Sequence, residues 1–173
     1  GQRGAGTIAT MAELLDDVGV DAARAFFLTR RRDSHLEFDL ALAREQSAKS
    51  RAFYAQYATA RIASIQRRAP AAATAAAVDW TLLVHEKERA VALKCAQYGP
   101  VIRQAAADLD PACLASYLLE LAKSFNSFYH ECPVVKGDLD PALSRARLAL
   151  IAAVRTVLVD GLHALTIAAL ESM

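Results

Sequence analysis

The chain has 173 residues, with 20 Lys and Arg against 19 Asp and Glu and a formal net charge of +1 at pH 7. No molecule-wide field therefore draws it to nucleic acid, and any such surface must come from local patches. At 54% hydrophobic and 23% charged it can bury a real core, which excludes a disordered solvating segment, while 7 Gly and 5 Pro among Ala- and Leu-rich stretches argue against a many-stranded β protein. The length fits one domain, or one plus a short appendage.

In chain order, Thr10-Met11-Ala12-Glu13 reads as a capping box, and the short helix it opens should stop at Gly19. Asp21 offers a second N-cap for a helix from Ala22 to Arg30 that places Ala23, Phe26 and Phe27 on one side. Arg30-Arg31-Arg32-Asp33-Ser34 then breaks the pattern, and the alternation of Leu36, Phe38 and Leu40 reads as an extended linker packed on the helices. A helical pattern starts at Leu40, with a possible break between Ser47 and Arg51, and carries Phe53, Tyr54, Tyr57, Arg61, Ile62 and Ile65 to Arg68. The alanines around Pro70 form a loop or frayed turn.

Trp80 to Tyr98 is expected as one helix with Leu82, Leu83, Ala90 and Leu93 as its buried stripe, ended by Gly99-Pro100 and followed by a shorter helix to Leu109. Asp110-Pro111 and Asp140-Pro141 are matching start signals, an acidic cap followed by proline where the missing amide costs nothing. Each opens a long helix, about 111–130 and about 141–165, with Cys132-Pro133 to Leu139 as the loop between them. The expected fold class is an all-α helical bundle, packed antiparallel across short loops.

Cys95, Cys113 and Cys132 are odd in number and widely spaced, form no zinc-type pair, and suit a reducing cytoplasm as small buried hydrophobes. The first residues lack the apolar core of a signal peptide, and the apolar run from Pro70 to Val78 is too short to span a bilayer. A soluble cytoplasmic protein is the expectation.

His35, His85, His130 and His163 are scattered with no Ser, Cys or paired carboxylate in a motif beside them, and no glycine-rich phosphate loop is written. Glu86-Lys87-Glu88-Arg89 reads as a solvated helix face. No catalytic residue and no metal ligand is singled out. RNA binding has better local support: no acidic residue lies between Gln46 and Val78, while Lys49, Arg51, Arg61, Arg67 and Arg68 are basic, interleaved with Phe53, Tyr54 and Tyr57. Tyr54, Tyr57 and Arg61 share a helix face at spacings of three and four. Spacing leaves two readings open, tyrosines half-buried in the bundle or rings offered to unpaired bases.

Several stretches in order, Asp17 to Leu28 (DVGVDAARAFFL), Asp33 to Asp39 (DSHLEFD), Tyr54 to Ile62 (YAQYATARI), Phe125 to Tyr129 (FNSFY) and the tail from Arg145 to Met173, closely resemble arginyl-tRNA synthetases. The resemblance runs essentially end to end. It implies that residues 1–18 are a remnant of the loop and connector after the catalytic domain's M-S-K region, and that 19–173 form a helical anticodon-binding domain of the class I synthetase type. By the resemblance Tyr54, Tyr57 and Arg61 face the anticodon loop, Tyr129 and Met173 join them, and Gln56 is a weaker candidate. The implied partners are arginine tRNA, chiefly its anticodon stem-loop, and the catalytic domain of the same polypeptide, in a monomer. The implied cofactor, ATP with magnesium, belongs to the full-length enzyme, none to this chain, which is expected to be inactive alone.

The sequence departs from that pattern at several positions: Gly1-Gln2-Arg3 stands for M-S-K, Ser50-Arg51 for an Asn-Pro helix opening, Thr59 for a frequent His, Thr166 for a common Gly and Ser172 for an Arg. A stand-alone relative that keeps the fold and acts as an RNA-binding or protein-interaction scaffold is the competing reading. An independently active ligase would need a nucleotide site that no motif here supplies.

Overall fold

The computed structural model describes residues 10–28, 51–69, 77–136 and 138–172. Among them lie seven α-helices, one 3-10 turn and no strand. We number the helices α1 (Met11–Val18), α2 (Val20–Leu28), α3 (Arg51–Arg68), α4 (Glu86–Ala96), α5 (Tyr98–Asp108), α6 (Pro111–Glu131) and α7 (Pro141–Ala164). The expected linker through Leu36, Phe38 and Leu40, the helix start at Leu40 and the alanines from Pro70 lie outside the described residues.

Local chemistry sets most of the helix ends. The Thr10 hydroxyl accepts from the Glu13 amide at 3.3 Å while the Glu13 carboxylate accepts from the Thr10 amide at 2.7 Å, so two free donors of α1 are met reciprocally. Those Thr10 contacts hold the Glu13 carboxyl below the usual carboxylate range. Gly19, at φ +81°, ends α1 in a conformation that side chains resist. Asp110 and Asp140 each accept from the amide two residues on, at 3.1 and 2.9 Å, and the prolines sit inside the first turns as expected. Asp21 is not a cap: α2 begins at Val20, and the Asp21 carboxylate turns to the tail described below.

The stretch expected as one helix from Trp80 to Tyr98 is broken in two. Asp79 caps a 3-10 turn over Trp80–Leu82, and the chain restarts at His85, whose ring accepts from the Lys87 amide while Glu88 takes the His85 amide. This restart selects a different phase for the helix. Glu88 and Val91 are buried, whereas Ala90 and Leu93 face solvent and Leu82 and Leu83 are half-buried. Gly99 and Pro100 open α5 rather than close α4.

α6 is the axis of the bundle and packs on α3, α4, α5 and α7. Its Leu118, Leu121, Ala122, Phe125 and Phe128 are buried against Ile62 of α3, Val91 of α4 and Ile151, Val154, Leu158 and Leu162 of α7. Each Leu, Ile, Val or Phe among them, withdrawn from water, contributes about 1.5–3 kcal/mol before conformational entropy is counted. α6 and α7 cross closely at Gly161, where a Cβ would meet the Leu118 side chain at 2.5 Å. The charge run is not a uniformly solvated face. Glu88 is 1% exposed and its carboxylate accepts from the Arg147 Nε of α7 at 2.7 Å; Arg147 also donates to the Pro133 carbonyl at 2.7 Å. Among the described residues no helix is long and apolar enough to cross a membrane.

Candidate nucleic-acid interface

α3 divides its faces sharply. Ala55, Ala58, Ile62 and Ile65 enter the core, while Tyr54 and Tyr57 keep 44% and 36% of their surface in solvent. Both rings are accessible from solvent. Arg61, one turn after Tyr57, lies with its guanidinium carbon 4.5 Å from the Tyr57 ring centre and 5.3 Å from that of Tyr129. Tyr129 comes from the end of α6, is also 36% exposed, and stacks on the buried Phe125 ring at 6.1 Å. One Arg61 nitrogen donates to the Asn126 side-chain carbonyl at 3.1 Å and another to the Tyr57 hydroxyl at 2.5 Å. A guanidinium has five N–H donors, so this fixed cation keeps donors for a ligand.

Beside these groups opens a pocket of about 270 Å³, lined by Tyr57, Arg61, Arg67, Arg68, Tyr129 and Ser172 among others. Among the described residues its lining holds three arginines and no carboxylate. Tyr54 shares the helix face but not the pocket lining. Arg68 donates to the Ser64 hydroxyl at 2.8 Å and Arg67 to the Glu171 carbonyl at 2.9 Å, which aligns both along the rim.

The residues after α7 bring Ser172 to the lining. α7 ends with the Thr166 amide on the His163 carbonyl at 2.8 Å and the Ile167 amide on the Leu162 carbonyl at 2.9 Å. This paired closure requires a left-handed residue, and Thr166 supplies it at φ +56°. The chain then runs back along α3 to Ser172. Gln56 points to that side of α3, 4% exposed, with its amide donating to the Ala168 carbonyl at 2.6 Å and to Asp21 at 3.4 Å. The structure thus groups Tyr57, Arg61 and Tyr129, sets Tyr54 one turn away, and turns the buried Gln56 aside from them onto the tail. Met173 lies outside the described residues.

Sequence reasoning missed Asn126 and Ser172 as part of this site. Asn126 could have been found, since it sits three residues before Tyr129 on a helix that buries Phe125 and Phe128. Ser172 could not, because its place depends on tail contacts made more than 100 residues away in sequence. Elsewhere, burial pushes the Cys95 thiol up to about 11 and raises Cys132 and the Tyr117 hydroxyl, which donates to the Lys94 carbonyl at 2.6 Å. Among the described residues no group of three His, Cys, Asp or Glu could hold a metal ion.

Residues 55–173 match the family described as the DALR anticodon binding domain. The chain belongs to that family. As a DALR domain it is 42% identical over 172 residues to an arginine–tRNA ligase of Syntrophotalea carbinolica, covering 97% of this chain and 31% of that protein. It is 43% identical over 166 residues to one of Chlorobium limicola, covering 93% of this chain and 30% of that protein. The chain therefore spans about a third of the length of the relatives it matches. Among solved structures, the arginyl-tRNA synthetase of Thermus thermophilus superposes with a TM-score of 0.77 at 29% identity, over 91% of this chain and 27% of that one. A Campylobacter jejuni structure, at 24% identity and TM-score 0.80 over 99% of this chain and 37% of that one, shows the same fold. The all-α expectation agrees with both the helices and these neighbours.

Proposed function

We propose that this DALR domain reads the anticodon loop of arginine tRNA as part of an arginine–tRNA ligase. The observation that carries the reading is the Arg61 guanidinium fixed between the Tyr57 and Tyr129 rings beside an open pocket that Arg67 and Arg68 also line. An unpaired base gains about 1–3 kcal/mol by stacking on an aromatic ring, and its polar edge needs fixed donors. Tyr57 and Tyr129 supply the rings, Arg61 the donors, and Arg68 on the rim a charge for phosphate. Tyr54 extends the aromatic face along the strand. Gln56 has its amide committed to the tail and contributes to this surface only indirectly.

Attachment of arginine, with ATP and magnesium, belongs in this reading to the remaining two-thirds of the relatives' length, and no residue described above is assigned to it. The catalytic domain of the same polypeptide is the other partner, in a cytoplasmic monomer.

The test is binding to an arginine anticodon stem-loop and to one with the middle anticodon base changed, at two salt concentrations. The base change should cost about 1 kcal/mol or more, and Tyr57→Ala or Arg61→Ala should abolish the difference. Arg68→Ala should weaken both loops equally and flatten the salt dependence by about 0.7 in the log–log slope, the signature of one lost phosphate contact. Equal, salt-sensitive binding to both loops by the unaltered chain would discard anticodon reading in favour of a scaffold with a generic basic surface.

A further inference from the structure

The tail from Ala168 to Leu170 is held in an unusual way. Ala168 has its amide on the Asp21 carboxylate at 3.2 Å and its carbonyl on the Gln56 amide at 2.6 Å. Two residues on, the Leu170 amide donates to the Thr59 hydroxyl at 3.2 Å, and the Leu170 carbonyl lies 3.1 Å from the same oxygen. Thr59 is fully buried, and its hydroxyl proton also has the Gln56 carbonyl at 2.7 Å. Ala168 thus has both backbone groups met by side chains and Leu170 has its amide met, while the single Thr59 proton is shared between the Gln56 and Leu170 carbonyls. Arg67 then takes the Glu171 carbonyl, and Arg155 pairs with the Glu171 carboxylate. The next residue, Ser172, lines the pocket.

We infer that Thr59 and Gln56 are positioning residues of the RNA site: from the buried face of α3 they fix the tail that brings Ser172 to the pocket. The inference rests on the reading of that pocket as the anticodon site. Gln56 and Tyr57 are neighbours with divided labour, one binding the tail and the other the ligand. Thr59 stands where the resemblance places His, and its short side chain meets the tail because the backbone itself comes to it. A side chain lost here removes partners of part-buried tail amides and carbonyls that water can then take up, which favours release of the tail over retention in place.

The test uses the whole chain and compares Thr59→Val, which keeps the shape and removes the hydroxyl, with Thr59→Ser, which restores it. Residue-resolved hydrogen exchange is read on the amides of 168–172, alongside affinity for the arginine anticodon stem-loop and for the base-changed loop. Thr59→Val should speed exchange at Leu170 and beyond, lower affinity for the arginine loop roughly tenfold, and shrink the ratio between the loops, with Thr59→Ser recovering all three. Gln56→Met repeats the test at the other hold, so a failure of one variant to fold does not stop it. If Thr59→Val frees the tail or lowers the melting temperature yet keeps the ratio between loops, the tail is structural only and the inference falls while anticodon reading stands. If the unaltered chain does not distinguish the loops, the pocket reading falls first and takes the inference with it.

Discussion

Thr166 holds φ at +56°, where a β-branched side chain crowds its own backbone, because the closure of α7 needs a left-handed residue at that point. The conformation costs about 1–3 kcal/mol for a non-glycine residue. Glycine would remove that cost and return about 0.4–1 kcal/mol through its freer unfolded chain. Thr166→Gly should therefore stabilise the chain by about 1 kcal/mol, seen as a higher urea midpoint with an unchanged slope. Leu109, at φ +51° and 72% exposed beyond α5, has little burial to lose, so Leu109→Gly should act in the same direction and add to it. At this scale the sequence was legible wherever the interaction is local. The Thr10–Glu13 box, Gly19 and the two Asp-Pro caps each act within three residues. Tyr57 and Arg61 were legible because a helix puts them together whatever surrounds it. Gln56 was not, since its partners, Asp21 and Ala168, lie 35 and 112 residues away.

Between elements, the closest approach is α6 against α7 at Gly161. An alanine there gains about 1 kcal/mol of helix propensity, but its Cβ would lie 2.5–3.2 Å from three atoms of Leu118, itself 2% exposed in the core. Overpacking of this kind costs about 1–3 kcal/mol, so Gly161→Ala should be net destabilising, by about 1 kcal/mol. Gly161→Ala combined with Leu118→Ala should fall short of the sum of the two single losses, because the second change removes the clash of the first; a urea-denaturation cycle reads this directly. The α4 region shows why element type is easier to read than helix phase. Periodicity fitted a helix through Trp80–Tyr98 with Leu93 inward, yet Asp79 and His85 cap two separate starts, and the restarted helix turns Val91 inward and leaves Leu93 66% exposed. A leucine outside and a glutamate inside reverse the hydrophobic pattern on which the phase was read.

At the scale of the molecule, that inward glutamate joins segments that no local rule connects. Glu88 links the cap of α4 to Arg147 of α7, and Arg147 continues to the Pro133 carbonyl in the loop that separates α6 from α7. Its partner is 59 residues away, so the charge run looked like a solvated face. Two charges this deeply buried are expensive to desolvate, and their mutual attraction with the extra hydrogen bonds only offsets that expense. Removing one member is different, because it strands the other. Arg147→Met should leave the Glu88 carboxylate buried without its cation and cost about 3–5 kcal/mol, a large share of the roughly 5–15 kcal/mol that holds a domain together. Glu88→Leu with Arg147→Met should recover most of the loss, short by the capping contact to the His85 amide, worth about 1 kcal/mol. Denaturant midpoints of the two single variants and the double one separate these outcomes. Equal destabilisation of the Arg147→Met chain and the double variant would show that the pair is a net attraction rather than a mutual neutralisation. Arg147 is absent from the pocket lining, so Arg147→Met, measured where it remains folded, should keep its preference for the arginine anticodon loop while Arg61→Ala loses it.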